Sequence, residues 1–172
     1  INANSGVLFP NITTTANPIC TGTPVTLTAP SGATGYTWYP GGQTTQSITE
    51  SPSSTTTYTC IVDGVCGYKQ TLTETITVNQ LPNVTSASSG TICSGDNVNY
   101  NIVSDLASTY VWSAASNTNV TGESTSAQTT STINDVLTNA GTSVQTVNYA
   151  ITPTSSNGCV GPTVPYPVTV NP

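Results

Sequence analysis

The stretch PNITTTANPICTG, residues 10–22, is repeated as PNVTSASSGTICSG at residues 82–95, and each copy ends with a cysteine followed two positions later by glycine. A segment that alternates apolar and polar residues follows each copy, PVTLTA at residues 24–29 and NVNYNIV at residues 97–103. Such alternation predicts half-buried strands. A repeated phrase in a chain of 172 residues therefore predicts two small β-domains.

Further segments keep the same order in both halves of the chain. They are YTW at residues 36–38 and YVW at 110–112, TTTYTCIV at 55–62 and QTVNYAIT at 145–152, and TITVN at 75–79 and PVTVN at 167–171. We therefore assign residues 10–81 to a first domain and residues 82–172 to a second, with residues 1–9 as a linker or the tail of a preceding repeat. The junction at residues 80–82, QLP, has no flexible Gly/Ser tract, which predicts a short and stiff connection.

The composition predicts an all-β fold. The chain contains 36 Thr and 20 Ser, and charged residues make up only 5% of it. Threonine and valine favour strands, and the charged residues that favour helices are scarce. About seven short strands per domain, with Trp on the third and Tyr near the start of the sixth, are typical of immunoglobulin-like sandwiches. We expect Trp38, Tyr58, Trp112 and Tyr149 in the cores of two tandem sandwiches, with both tyrosines at or near the tyrosine-corner position.

Charge and hydropathy exclude two classes of partner. The net charge is −6 and the only basic residue is Lys69, so nothing in the sequence can neutralise the phosphates of a nucleic acid. The apolar runs are a few residues long, whereas a membrane-spanning helix needs about 18, so we expect no membrane insertion. Five cysteines in a short polar chain indicate an oxidising, extracellular setting.

Turn signals and spacing locate the specialised loops. Asp63-Gly64 and Asn157-Gly158 are strong hairpin signals, and each precedes a cysteine, Cys66 or Cys159. The second domain has 37 residues between its Trp and Tyr positions, where the first has 20. The extra residues, SAASNTNVTGESTSAQ and their neighbours, are where we expect specialised loops.

Little in the sequence suggests catalysis. Histidine and arginine are absent, and the seven acidic residues are scattered, so we expect no enzyme, no active site and no cofactor. Asp96, beside Asn97 near the domain junction, is the candidate for a calcium site, since carboxylates, amides and backbone carbonyls can coordinate calcium. Tyr39 should face away from Trp38 on a strand, which makes it the candidate for stacking on a sugar.

Four of the five cysteines form two repeated pairs. Cys60 has no cysteine counterpart, since Ile151 occupies its place, and we expect it to be a buried free thiol. One pairing joins Cys20 to Cys66 and Cys93 to Cys159 within the domains. In a seven-strand sandwich, however, those turns lie at opposite ends, about 20 Å apart, whereas a disulfide allows about 7 Å between Cα atoms. The alternative joins Cys20 to Cys159 across the junction and leaves Cys66 and Cys93 for neighbouring repeats.

The order ICxG, YxW, TYT, an NG or DG turn with cysteine, and xTVN before proline resembles the Ig-like and PKD-like repeats of giant surface adhesins from gliding Bacteroidota, of the SprB type. The first domain, with WYPGGQTTQSI, is similar to their Ig-like module, and the second to their PKD-like module. The WDFGDG-like segment of typical PKD domains is missing. The resemblance implies type IX secretion, a cell-surface address and a role in adhesion or gliding motility.

The sequence is therefore consistent with two functions from different classes. The first is a non-enzymatic repeat segment of a surface adhesin filament, which acts as a stiff spacer and takes part in attachment. Its partners would be neighbouring repeats of the same chain and surface polysaccharide. The alternative is a carbohydrate-binding or accessory module of a secreted polysaccharide-degrading enzyme. A calcium-dependent rod is a third hypothesis, which the candidate at Asp96 motivates.

Overall fold

Short strands with alternating buried and exposed side chains make up the regular structure of residues 8–172, the part of the chain that this computed structural model describes. Val25–Thr28 and Thr56–Asp63, for example, bury every second side chain, as the period of a strand requires. The prediction of an all-β fold is confirmed. Within residues 8–172 the one helical element is a three-residue 3₁₀ turn, Val65–Gly67. No helix in this part of the chain is long and apolar enough to cross a membrane.

The chain divides into two compact units between Gln80 and Leu81, one residue before the boundary that the sequence suggested. Each unit has its own hydrophobic core. The first unit ends at Gln80 and the second unit begins at Leu81.

The first unit contains eight strands. They are β1 Thr13–Thr14, β2 Ile19–Cys20, β3 Val25–Thr28, β4 Gly35–Tyr39, β5 Ser47–Glu50, β6 Thr56–Asp63, β7 Lys69–Ile76 and β8 Val78–Asn79. One antiparallel sheet has the order β1-β3-β5 and the other β4-β6-β7. Strand β2 pairs in parallel with β8.

Strand β8 continues β7 after an interruption at a single residue, Thr77. The Thr77 N–H donates to Asn17 Oδ1 at 2.9 Å, while the Thr77 carbonyl accepts from Ile19 N at 3.0 Å. The side chain of Asn17 thus replaces one step of the β ladder. As a result β2 extends the β4-β6-β7 sheet by a fourth, parallel strand.

The second unit also contains eight strands. They are β9 Gly90–Cys93, β10 Tyr100–Asn101, β11 Ser108–Ala114, β12 Val120–Thr121, β13 Thr132–Ile133, β14 Thr138–Asn139, β15 Gln145–Ser155 and β16 Val164–Asn171. One sheet has the order β11-β15-β16-β9, with β9 parallel to β16. Strand β10 pairs with β13, and β12 pairs with β14.

The two units have equivalent four-stranded sheets. The order β4-β6-β7/β8-β2 in the first unit corresponds to β11-β15-β16-β9 in the second. The third and sixth strands of an immunoglobulin-like sandwich are neighbours in one sheet, which is the relation between β4 and β6. Trp38 and Trp112 lie on the equivalent strands β4 and β11 and are 0% and 4% exposed. We therefore describe both units as immunoglobulin-like.

The hairpin signal in the first unit was assigned to the wrong dipeptide. The tight turn is centred on Cys66-Gly67, where both residues have positive φ, 57° and 77°, and Tyr68 N donates to Val65 O. Positive φ at both central residues is the requirement of a type I′ turn. Gly64 N donates to Tyr68 O at 2.7 Å, so two residues of one strand oppose one of the other, as in a β-bulge.

The first unit begins earlier than the sequence suggested. Residues 1–7 of the predicted linker 1–9 lie outside the described residues. Phe9, however, is 6% exposed and belongs to the core of the first unit. Its N–H donates to Gln70 Oε1 at 2.8 Å and its carbonyl accepts from Gln70 Nε2 at 3.1 Å. Phe9 is therefore part of the domain.

Candidate functional site

The repeated Ile-Cys phrase builds the same local structure in both units. Cys20 ends β2 opposite Asn79, and Cys93 ends β9 opposite Asn171. The carbonyl of Cys20 accepts from the N–H three residues later at 3.0 Å, and that of Cys93 does so at 3.1 Å. The glycine at the third position of each turn has φ of 75° or 88°, a left-handed conformation that favours glycine. The phrase therefore fixes a cysteine at the end of the parallel edge strand.

The cysteines are in different oxidation states. Cys20 in the first unit and Cys159 in the second are disulfide-bonded. Cys66 and Cys93 are free and exposed, and Cys60 is free and buried. Pairing within the units, Cys20 to Cys66 and Cys93 to Cys159, requires all four repeated cysteines to be oxidised. The structure does not contain those bonds.

Cys66 and Cys159 occupy matching places in the repeat but differ in environment. Cys159 is 0% exposed, its N–H donates to Ser155 Oγ at 3.2 Å, and its carbonyl accepts from Ser155 N at 2.9 Å. Cys66 lies at the tip of the β6–β7 hairpin and is exposed. The loop before the last strand thus carries an enclosed cysteine in one unit and an accessible thiol in the other.

Cys60 is a core residue of the first unit. It lies opposite Trp38 in the β4–β6 ladder, as Ile151 lies opposite Trp112 in the β11–β15 ladder. The thiol is 0% exposed, and burial raises the pKa of Cys60. Because the thiolate is the reactive form, the raised pKa and the burial make this thiol unreactive.

Each tryptophan is held by a short segment that the sequence comparison did not detect. Trp38 Nε1 donates to Thr45 O and Trp112 Nε1 to Thr130 O, both at 2.9 Å. These acceptors lie in QTTQSI, residues 43–48, and QTTSTI, residues 128–133. This further copy of the repeat was a detectable signal. It places most of the extra residues of the second unit between Trp112 and Gln128.

An acidic residue follows each of these segments, and its partners differ between the units. Glu50 accepts a hydrogen bond from Gln43 Nε2 at 2.7 Å. Asp135 accepts three hydrogen bonds of 2.8 Å, from Ser124 N, from Ser124 Oγ and from the hydroxyl of Tyr149. Ser124 belongs to the extra residues of the second unit. The insertion therefore gives Asp135 hydrogen-bond partners that differ from those of Glu50.

The buried tyrosines differ for the same reason. Burial, followed by the hydrogen bond to Asp135 and the charge of that carboxylate, raises the pKa of Tyr149 strongly. Burial, followed by the charge of Glu50, raises the pKa of Tyr58. A tyrosine corner needs a hydroxyl bond to the backbone. The Tyr149 hydroxyl instead donates to a carboxylate, so the tyrosine-corner assignment is wrong for this residue.

Asp135 borders an open polar cleft in the second unit. The cleft has a volume of about 340 Å³. Trp112, which is 4% exposed, contributes to its wall. Its other lining residues carry hydroxyl, amide or carboxylate groups, namely Ser124, Gln128, Thr130, Ser131, Thr132, Asn134 and Asp135.

The calcium candidate Asp96 acts as a turn residue in this structure. Its Oδ2 accepts from Cys93 N at 3.2 Å and its own N–H donates to Cys93 O. Within residues 8–172 no group of three or more His, Cys, Asp or Glu side chains could hold a metal ion. Calcium binding at Asp96 therefore stays a prediction.

The sugar-stacking candidate Tyr39 is at the surface. It ends β4, and 51% of the residue is exposed, while its neighbour Trp38 is fully buried. The strand alternation therefore places the two aromatic side chains on opposite faces. Binding at Tyr39 stays a prediction.

One family model matches part of the chain. Residues 90–172 match the family model of the PKD-like domain. No match was found among curated proteins. Domains of the PKD-like and Ig-like kind are typical of extracellular repeat modules and are generally non-catalytic, and a disulfide agrees with such a setting.

Solved structures with a similar fold are distant in sequence. The chain is similar to the fibronectin(III)-like modules of Clostridium thermocellum CbhA, with a TM-score of 0.37 and 8% identity over 93% of this chain and 94% of that one. It is similar to the insect immune protein hemolin, with a TM-score of 0.40 and 16% identity over 98% of this chain and 48% of hemolin. It is also similar to an I-band fragment of titin, with a TM-score of 0.43 and 13% identity over 96% of this chain and 66% of the titin fragment. Because these TM-scores and identities are low, they assign no function to this chain.

Proposed function

We propose that this chain is a non-enzymatic repeat segment of a secreted cell-surface adhesin filament, in which it acts as a stiff spacer. The observation that carries the proposal is the oxidation state of the cysteines. Cys20 in the first unit and Cys159 in the second are disulfide-bonded, whereas the other three cysteines are thiols. In the proposal, the bond joins Cys20 to Cys159 and fastens one repeat to the next.

A bond between these positions suits a chain that works outside the cell. It closes a loop of more than 100 residues, for which the chain-entropy model gives a stabilisation of about 4–5 kcal/mol. It also limits how far the two units can separate under tension. The short QLP junction at residues 80–82, without a Gly/Ser tract, adds to the stiffness.

The two exposed thiols extend the proposal to the neighbouring repeats. Cys93 occupies the same position on β9 as Cys20 on β2, and Cys66 lies in the loop that corresponds to that of Cys159. If Cys20 bonds to the following unit, the same geometry directs Cys93 to a following repeat and Cys66 to a preceding one. The proposed partners are therefore other repeats of the same parent chain.

Small-angle scattering tests the spacer. The oxidised chain should have a single extended shape, and the Cys20→Ser/Cys159→Ser variant should have a broader distribution of interdomain distances. Cys66→Ser/Cys93→Ser is the matched control, because both residues are free thiols, and its scattering should equal that of the original chain. Freely jointed units in the oxidised chain contradict the proposal.

Attachment and gliding motility form the finer part of the proposal. They are supported by the resemblance of the repeats to those of gliding adhesins and by the PKD-like match of residues 90–172. Deleting the segment from its parent protein in the source bacterium should reduce surface attachment and gliding while the shortened protein is still exported by the type IX route. Export by another route, or unchanged attachment and gliding, contradicts this part.

The alternative function, a carbohydrate-binding or accessory module, is favoured by one observation, the 51% exposure of Tyr39. An exposed aromatic ring at a strand end can stack on a sugar. This function predicts that soluble polysaccharide retards the protein in affinity electrophoresis and that Tyr39→Ala abolishes the retardation. Retardation that survives Tyr39→Ala rejects this residue as the site.

A further inference from the structure

We infer that the polar cleft of the second unit is a binding site for a neutral, polyhydroxylated ligand, a sugar unit of a glycan. The site is separate from Tyr39 and does not depend on the spacer function. The inference rests on a comparison of the QTTQSI and QTTSTI segments, which align without a gap up to the acid that follows each but differ at three positions.

In the first unit the polar side chains of this segment bond to the neighbouring β3 region. Gln46 Nε2 donates to Ala29 O at 3.0 Å, and Ser47 Oγ donates to Thr28 Oγ1 at 3.0 Å. Thr49 Oγ1 shares a hydrogen bond of 3.0 Å with Thr26 Oγ1. These three side chains of the first unit therefore have partners within the protein, although Gln43 Oε1 of the same segment is buried without one.

The equivalent side chains of the second unit are Ser131, Thr132 and Asn134. Within residues 8–172 none of the three side chains forms a hydrogen bond with the protein, and all three line the cleft. Three positions that are internally satisfied in one unit thus present free hydroxyl and amide groups in the other. Such groups are available to a ligand.

The glutamine and the acid complete the contrast. Gln43 bonds to Glu50 in the first unit, whereas the Gln128 amide bonds to Ser126 O at 3.2 Å. Asp135 accepts three hydrogen bonds, and a carboxylate has about four acceptor positions, so one remains for a ligand hydroxyl. In the first unit the glutamine of the segment bonds to the acid, whereas in the second unit the glutamine bonds elsewhere and an acceptor position of the acid stays available.

The chemistry of the lining determines the class of ligand. Hydroxyl and amide groups offer donors and acceptors together, which is what sugar hydroxyls require. No lining residue is cationic and Asp135 is acidic, so an anionic ligand would be repelled. A volume of about 340 Å³ is at the small end for ligand sites, which suits one sugar unit of a chain that continues into solvent.

Affinity electrophoresis of the full chain tests the site. The probes are laminarin, galactomannan and xyloglucan as neutral polysaccharides, alginate as an acidic one and chitosan as a cationic one. We expect at least one neutral probe to retard the protein and Asn134→Ala to raise the dissociation constant about tenfold, because a polar partner of the ligand is lost. Thr129→Ala is the control, since Thr129 is exposed and outside the lining.

A second readout separates binding from folding. Asn134 makes no side-chain hydrogen bond within the described chain, so Asn134→Ala should leave the melting temperature unchanged. In an NMR titration with the retarding polysaccharide, the indole N–H signal of Trp112 should shift and that of Trp38 should not. The inference is overturned by retardation with alginate or chitosan only, by no retardation, or by retardation that Tyr39→Ala removes and Asn134→Ala does not.

Discussion

The two units share a frame but use its acidic residue differently. In both, a buried tryptophan donates its indole N–H to a threonine carbonyl, and an acid follows shortly after. Glu50 accepts a hydrogen bond from Gln43, and its charge adds to the effect of burial in raising the pKa of Tyr58. Asp135 is bonded by Ser124 and by the hydroxyl of Tyr149.

The insertion explains this difference. It adds β12 in the second unit, where Val120 is 3% exposed and joins the core, and it brings Ser124 to the acid. A loop that supplies a better hydrogen-bond donor can therefore change a surface without altering the sandwich beneath it. Substitutions at equivalent positions should therefore have equal effects where the two units share a feature and unequal effects where only one unit has it.

The tryptophans should be equivalent. Trp38→Ala and Trp112→Ala should each lower the free energy of unfolding by about 3–5 kcal/mol, because each leaves a large cavity. Urea denaturation of each variant measures the loss. Val111→Ala is the control, since Val111 is 48% exposed, and it should change stability by less than about 0.5 kcal/mol. If only one of the two substitutions lowers the free energy of unfolding strongly, the two tryptophans do not have equivalent roles in the two cores.

The insertion should be sensitive to a single added methyl group. A Cβ at Gly122 would collide with the carbonyl oxygen of Val136, and Gly122 has φ of 99°. Gly42, in the short turn of the first unit, has φ of 72° but nothing within 4 Å of an added Cβ. Gly122→Ala should therefore destabilise the protein by about 1–3 kcal/mol more than Gly42→Ala in urea denaturation. Equal losses mean that the loop moves to avoid the collision.

The tyrosine hydroxyls should differ in importance. Tyr149→Phe removes a hydrogen bond to a charged group, so the free energy of unfolding should fall by about 1.5–3 kcal/mol. No hydrogen bond of the Tyr58 hydroxyl is present in the described chain, and Tyr58→Phe should be close to neutral. Parallel denaturation experiments at neutral pH compare the two. Equal effects contradict the proposed difference between the acids.

Alkaline pH should affect Tyr58 and Tyr149, and also Tyr166, which lies on β16. Burial raises the pKa of Tyr58, Tyr149 and Tyr166 above the ordinary value of 10.0. The folded state thus holds these protons more tightly, so the stabilisation is complete below pH 10 and is lost as pH rises through the raised pKa values. Denaturation midpoints measured against pH should decline above pH 10, and less steeply for Tyr149→Phe. A Tyr149→Phe variant with an unchanged slope would falsify the dominant role of this hydroxyl.

The smallest effect is expected at Asp105, which holds the start of the second unit. Its carboxylate accepts from Asn83 N at 2.8 Å and Nδ2 at 3.1 Å, and the backbone bond above all lowers the pKa of Asp105. A lowered pKa means that the stabilisation is present above the ordinary value of 3.8 and is lost as pH falls below it. Asp105→Asn should slightly reduce stability at neutral pH and weaken the acid dependence. If Asp105→Asn loses stability at acid pH as steeply as the original chain does, the carboxylate of Asp105 does not contribute to this pH dependence.

Much of the frame was predictable because periodicity reports burial directly. The alternation in PVTLTA identifies β3, and equal spacing from the repeated cysteines identifies Trp38 and Trp112 as equivalent, both now found buried. The position of Cys60 opposite Trp38 follows from the same alignment, since Ile151 lies opposite Trp112. The alternation of apolar and polar residues along one strand shows which of its side chains are buried, and this can be predicted without knowing how the strands pair.

The errors arise where distant groups decide the structure. The hairpin is centred on Cys66-Gly67 because a bulge at Gly64 moves the turn, which the Asp63-Gly64 signal does not reveal. Phe9 joins the core because its backbone bonds to Gln70. The Asp135 cluster combines Ser124, Asp135 and Tyr149 from separate segments, and only the fold brings them together. The QTT repeat, in contrast, was detectable by a closer alignment.

The central claim is that one repeat is fastened to the next by Cys20 and Cys159, and non-reducing peptide mapping by mass spectrometry tests it directly. We predict a peptide pair linked through Cys20 and Cys159, with Cys60, Cys66 and Cys93 recovered as alkylated thiols. Peptide pairs that link Cys20 to Cys66 and Cys93 to Cys159 would contradict the claim, because each unit would then be closed on itself and the spacer would lack its fastening.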